Sequence, residues 1–518
     1  MSKIMVEKSQ KTDEILAANK PESKQLTKEE ASALYEAIVR DKKLDKLTNL
    51  LEAAENGDVW GTSFYSRILV DKSHAKLAFK YLTQAAKTGN SNAMHAVGSL
   101  YKQGYGVNKD YNEAFKWYRK AANAGNIGAM RDLGSFYNWG YGVNQDYNEA
   151  AKWFQKAADK GDDWAMQRLG PLYEEMHDYA EALKWYRKAA DAGNKWAMKE
   201  LGICYEEGYG VNQDYNEAAK WFQKAADKGD NWAMYKMGYF YEWGKGVNQD
   251  YAEALKWYRK AADKGNDWAM YKMGSLYEFG KGVNQDYAEA LKWYRKATDK
   301  YNKGAMRSLG ICYEEGKGVN QDYAEAAKWF QKAADMGDVE AKYIIASYYE
   351  DGTGVDQDYK KAAKWYRIAA NKGHKGAMYS MGYFYEWGKG VNQDYNKAFK
   401  WYRKAAYAGI GEAMVILGLF YEFGKGVNQD YTEAVKWYRK AADAGNGVAM
   451  NQIGSLYEQG KGVNRDYNEA AKWYRKAADA GIGEAMVNLG RLYEFGNGVN
   501  QDYTEADKWF QKAADAGY

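Results

Sequence analysis

The sequence predicts an all-α solenoid, and three observations carry that expectation. First, a 36-residue period runs through most of the 518 residues. Aligned on the glycine of "MG" or "LG", the chain gives Gly98, Gly134, Gly170, Gly202, Gly238, Gly274, Gly310, Ala346, Gly382, Gly418, Gly454 and Gly490, every step 36 residues except the 32 between Gly170 and Gly202. Fixed periods of this size mark units that bury their apolar faces by stacking on their neighbours. Second, each unit resolves into two helical patterns. Third, only 2 Pro occur in the whole chain.

The two patterns are clear in the unit of Gly238. Ala233, Met237, Gly238 and Tyr241 fall on one face of a first helix, where the small residues let a second helix approach closely. The second helix places Ala254, Trp257, Tyr258, Ala261 and Ala262 at helical spacing, with Lys256, Arg259 and Lys260 on the opposite face. Gly265 follows as a left-handed stop, and Lys260 and Lys264 sit at the negative helix end. Twelve such units occupy residues 91–518. Residues 45–90 read as a degenerate capping repeat ("VWGTSFYSRILVDKSHAKLAFKYLTQAAKTGN"), and residues 1–44 as a charged helical extension with a capping box at Thr27 and Glu30.

Composition excludes several function classes. Lys and Arg (74) nearly balance Asp and Glu (70), so bulk charge argues against a nucleic-acid partner. Four His leave little for a histidine metal site, and no cofactor or metal is expected. There is no apolar run long enough to span a bilayer and no secretory signal near Met1, so the expectation is a cytoplasmic monomer. Cys204 and Cys312 lie at equivalent positions three repeats apart, too far to bridge, and read as buried thiols.

The loop "GKGVNQDY" (Gly244 to Tyr251) recurs at Gly280, Gly316, Gly388 and Gly424. It lacks the Lys-Ser/Thr of a phosphate loop and the ligand spacing of a calcium loop. The unit of Gly170 drops four of its residues yet keeps both helix patterns, so the loop reads as stop-turn-start punctuation. Gly244 stops the first helix, Gly246 permits a second positive φ, Val247 plugs, and Asp250 with Glu253 caps the second helix.

Read from Ala233 to Gly265 as "AMYKMGYFYEWGKGVNQDYAEALKWYRKAADKG", these residues resemble the Sel1-like repeat family, which is tetratricopeptide-like. The resemblance covers more than four fifths of the chain. It implies an α/α superhelical solenoid and a scaffold that holds partner proteins in bacterial signalling, host interaction or membrane-complex assembly, not an enzyme. It also implies a concave surface lined by the first helices, at six and three residues before the aligned glycine and one, four and five after it.

Those columns are rich in aromatic residues. Six before stand Trp164, Trp196, Trp232 and Trp268; three before stand Tyr235, Tyr271, Tyr343 and Tyr379. One after come Tyr239 and Tyr383, and five after Trp139, Trp243, Phe279, Trp387, Phe423 and Phe495. The column four after is Glu in ten consecutive units from Glu174 to Glu494, among them Glu242, Glu278 and Glu386. One reading makes these carboxylates structural, paired with a nearby Lys such as Lys245. The other makes a groove of aromatic walls and acidic floor that receives a basic or aromatic peptide or protein. A glycan stacked on the same rings is the alternative, separable by its indifference to salt. A remote third is a β-lactamase-like hydrolase, since Ser73-His74-Ala75-Lys76 and Lys87-Thr88-Gly89 echo its signature. The basic outer stripe reads as a solvated face. Asp507, where other units place Leu255 or Phe399, reads as a polar end, and Pro171, Tyr301 and Ala346 as local bends, with a division of the array near residue 170.

Overall fold

A computed structural model describes residues 28–39, 46–55 and 72–518. The described residues form 27 helices and no strand. Two helices, Lys28–Val39 and Lys46–Glu55, precede a helix at Lys72–Lys87, and twenty-four helices follow, paired in succession as hairpins within each unit named below. The chain resolves into two compact units, one ending at Asp250 and one beginning at Tyr251, so the division falls well beyond residue 170.

The hairpin of Gly274 shows why these residues build this element. Its first helix, Asp267–Phe279, opens with Asn266, whose side chain accepts from the Ala269 N–H at 2.8 Å. It stops at Gly280, which takes φ 63 and returns its N–H to the Leu276 carbonyl. Asp286 then caps the second helix, Tyr287–Thr298, by accepting from the Glu289 N–H at 2.9 Å. The expected reciprocal box is only half made. The Asp286 N–H is already given to the Tyr277 carbonyl at 2.9 Å, so the Glu289 carboxylate turns outward to Lys292 instead, also at 2.9 Å.

Close approach of the two helices explains the aligned glycine. A β-carbon on Gly274 would lie 2.5 Å from the Tyr294 ring, inside any tolerable contact. Ala269, Met273, Leu276, Ala290, Trp293, Tyr294 and Ala297 are buried around it, a core of small residues and large rings. Ala346 holds the same place in its own hairpin, with its methyl group fully buried.

The recurring loop spaces successive hairpins. A β-carbon on Gly282 would lie 2.5 Å from the backbone carbonyl carbon of Tyr251, the first residue of the preceding second helix. The Lys281 ammonium lies 5.4 Å from the Tyr251 ring centre, and Gln285 donates from Nε2 to the Glu278 carbonyl at 2.8 Å, covering an otherwise open helix end. Glycine, lysine, glutamine and aspartate of this loop are thus each used within the protein. In the short hairpin of Gly170, His177 makes the turn at φ 59. Pro171 lies inside the helix Asp163–Glu175, which continues through it. Tyr301 adopts φ 63 where its counterparts are glycines.

The outer surface is similarly organised. Lys260 lies 3.8 Å from the Trp257 ring centre and Lys296 4.0 Å from that of Trp293, while Lys292 pairs with Glu289. Arg295 donates to the Tyr313 hydroxyl of the next hairpin at 3.2 Å.

Candidate functional site

The glutamate column points inward. Tyr294 Oη donates to Glu278 at 2.5 Å, Tyr366 to Glu350 at 2.8 Å, Tyr402 to Glu386 at 2.8 Å, Tyr438 to Glu422 at 2.7 Å and Tyr474 to Glu458 at 2.7 Å. Each tyrosine comes from the second helix of the same hairpin. Burial, then the adjacent carboxylate, pushes the Tyr294 and Tyr402 hydroxyls above the usual phenol range.

In two hairpins whose second helix supplies Phe instead, the acid has another donor. Glu206, beside Phe222, pairs with Lys236 at 2.6 Å; Glu314, beside Phe330, accepts from Tyr348 Oη at 2.8 Å. Beside Phe154 the column carries a neutral Asn138. This regularity supports the structural reading of the column, with tyrosine rather than lysine as the usual partner. The signal lay in whether the second helix of the same hairpin offers Tyr or Phe, a difference that the repeat period alone does not reveal.

The aromatic columns divide by environment. In the unit ending at Asp250, Trp164 packs its edge on Phe154 (5.8 Å between ring centres), Trp196 on Tyr186 (5.6 Å) and Trp232 on Phe222 (5.7 Å). These tryptophans are anchored on the preceding second helix, although Trp164 keeps 43% of its surface exposed. Tyr235 is half-buried, and Tyr239, also half-buried, lies 6.3 Å from Trp243 and beneath the Lys245 ammonium at 5.2 Å. Glu242 is buried, its backbone carbonyl accepting from Gln249.

In the unit from Tyr251, Trp268 lies 6.3 Å from Tyr271, and Tyr271 packs on Tyr294 at 5.9 Å. Tyr379 packs on Tyr402 at 5.6 Å, and Tyr383 lies 6.4 Å from Trp387. The column five after the glycine behaves differently from the rest. Trp139 (55%), Trp243 (58%), Phe279 (60%), Trp387 (64%), Phe423 (62%) and Phe495 (65%) all stand out at the C-terminal ends of their helices.

Two remaining sequence features find structural roles. Cys204 and Cys312 are free and buried, and burial followed by neighbouring glutamates pushes both thiols up to about 12. Lys87 and Thr88 lie at the end of one helix, where Thr88 Oγ1 donates to the Ala85 carbonyl at 2.8 Å; the Ser73 side chain lies outside the described residues. That helix end is not the strand context a β-lactamase-like site requires. No cluster of three metal-ligating side chains, and no helix long and apolar enough to cross a membrane, occurs among the described residues.

Comparison with known proteins agrees with this geometry. The family model described as Sel1 repeat matches thirteen consecutive segments, from residues 64–90 through 483–518. One solved structure, a protective antigen present in uropathogenic Escherichia coli strains and displaying an SLR fold, is 34% identical, with a TM-score of 0.55 over 84% of this chain and 86% of that one. A Sel1 repeat protein from Oxalobacter formigenes is 32% identical, with a TM-score of 0.50 over 64% of this chain and 93% of that one. No curated protein sequence matches the chain.

Proposed function

The chain belongs to the Sel1 repeat family, and from that premise we propose that it is a protein-interaction scaffold whose partner docks on the exposed rings at the C-terminal ends of the first helices. Sel1 repeat solenoids are generally scaffolds of this kind. The observation that carries the proposal is the exposure of Trp387 and Phe423, 64% and 62%, in consecutive hairpins whose interior rings are almost wholly buried. Neither ring is needed to close its hairpin. Covering such rings contributes roughly 2–3 kcal/mol each, enough for two or three to anchor a partner.

The tyrosine-bonded carboxylates support the walls of this surface rather than its floor. Docking therefore depends mainly on aromatic contact with apolar, aromatic or cationic side chains, and the partner is a protein or peptide carrying them. The test is capture of partners from the source cell's extract by wild type and by the Trp387→Ala/Phe423→Ala variant, with circular dichroism as the fold control. Loss of a captured protein with unchanged helicity is expected. An identical captured set from a correctly folded variant would overturn the proposal.

A further inference from the structure

Two neighbouring second helices, Tyr359–Asn371 and Tyr395–Tyr407, contain no acidic residue. The other ten second helices each carry a glutamate in the first turn. In all ten, that glutamate pairs with a lysine three residues on, as Glu325 does with Lys328 at 2.8 Å and Glu433 with Lys436 at 2.5 Å on the two flanking helices. In the two exceptions Lys361 and Lys397 stand in the glutamate's place, so Lys364 and Lys400 face another cation. The aspartate near the other end of most second helices is also missing, replaced by Asn371 and by Tyr407, which is 73% exposed.

The first of these helices thus carries Lys360, Lys361, Lys364 and Arg367, and the second Lys397, Lys400, Arg403 and Lys404, all exposed. The helices are adjacent, for Trp365 and Trp401 pack against one core cluster. Among the described residues the ion pairs made by these lysines are to the cap aspartates, Asp358 lying 3.5 Å from Lys361 and Asp394 3.0 Å from Lys397. A lysine in the first turn opposes the positive helix end, so the arrangement sacrifices the stabilisation that glutamate supplies in the ten other hairpins. Lys397, Lys400, Trp401, Arg403 and Lys404 border an open depression of about 280 Å³.

We infer that this patch is a second interaction surface, separate from the aromatic column, and that it receives an acidic segment of a partner protein. Its extent selects that partner. The excess of cations is confined to two helices, roughly 10 Å apart, because each flanking helix carries two acidic residues and pairs its first lysine with a glutamate. A nucleic-acid backbone or an anionic bilayer would engage a longer track, and the chain as a whole carries only +4. A short run of Asp and Glu matches eight cations on two helices and gains from the ring faces between them.

The test uses the full chain and a fluorescein-labelled oligoglutamate peptide, read by fluorescence anisotropy. The diagnostic variant is Lys361→Glu/Lys397→Glu, which installs the glutamate that the other hairpins carry and recreates their Glu–Lys pairs, so the fold is kept. Wild type should bind the peptide, at least about tenfold more tightly than the variant, and lose it as salt rises to about 0.5 M. Trp387→Ala/Phe423→Ala should leave this binding unchanged, which separates the patch from the aromatic surface. No binding to wild type, or equal binding to the charge variant, would overturn the inference. So would tighter, variant-sensitive binding of duplex DNA or of phosphatidylserine vesicles in the same assay, which would assign the patch to another class of partner.

Discussion

Replacing Tyr294 by Phe tests whether the glutamate column is held from within. The change removes one oxygen and leaves the ring in place, but it takes away the hydroxyl that donates to Glu278 at 2.5 Å. Glu278 is only 7% exposed, so water does not fully replace the lost donor. A hydrogen bond to a buried carboxylate is worth roughly 1.5–3 kcal/mol net, and an unsatisfied charge adds to the loss, so a destabilisation of about 2–3 kcal/mol is expected. The protein already contains a repair for this loss. Beside Phe222 the equivalent Glu206 is paired with Lys236, thirty residues on, and the residue thirty on from Glu278 is Ser308.

Tyr294→Phe/Ser308→Lys should therefore recover most of the stability. Because solenoids unfold through nearest-neighbour couplings, amide exchange across Asp267–Glu315 reports the local effect and urea unfolding the global one. A single variant within about 0.5 kcal/mol of wild type, or a double variant no better than the single, would refute the reasoning.

Three further outcomes follow from the same geometry. Gly282→Ala should cost more than about 3 kcal/mol, because its β-carbon meets the Tyr251 carbonyl carbon at 2.5 Å, whereas Gly265→Ala, with nothing within 4 Å, should cost only the roughly 1 kcal/mol of a positive φ; denaturant midpoints compare them. Cys204 and Cys312, with thiols raised to about 12, should resist a disulfide reagent at pH 8 and react only at the rate of opening. Asp132 should confer acid sensitivity: burial opposes its ionisation, but the hydrogen bond from His95, then the charges of His95, Lys102 and Arg131, lower it to about 2. A depressed folded-state value stabilises above the unfolded value near 4, and that contribution, about 2 kcal/mol, is lost as pH falls from about 4 to about 2. Asp132→Asn should flatten this part of the stability profile.

Architecture was the most legible part of the chain. Thirteen matching segments, the helix stops at Gly244 and Gly265, and the Asp caps all follow from letters that recur in register, because local backbone geometry depends on near neighbours. The aromatic columns were legible as columns, but not as surface or core. Trp232 and Trp243 lie eleven residues apart in one helix, yet the first rests on Phe222 and the second is 58% exposed. The partner of Glu278 was less legible still, since Tyr294 lies sixteen residues away across a loop.

By itself, then, the sequence determined the period, the two-helix unit, its caps and the small residues that let helices touch, because each rests on propensity and sterics within a few residues. Only the tertiary structure decided which rings remain exposed, which glutamates are satisfied from inside, and that two acid-free helices lie side by side. Those outcomes depend on how hairpins stack, and stacking brings together residues that the chain separates by one or more helices.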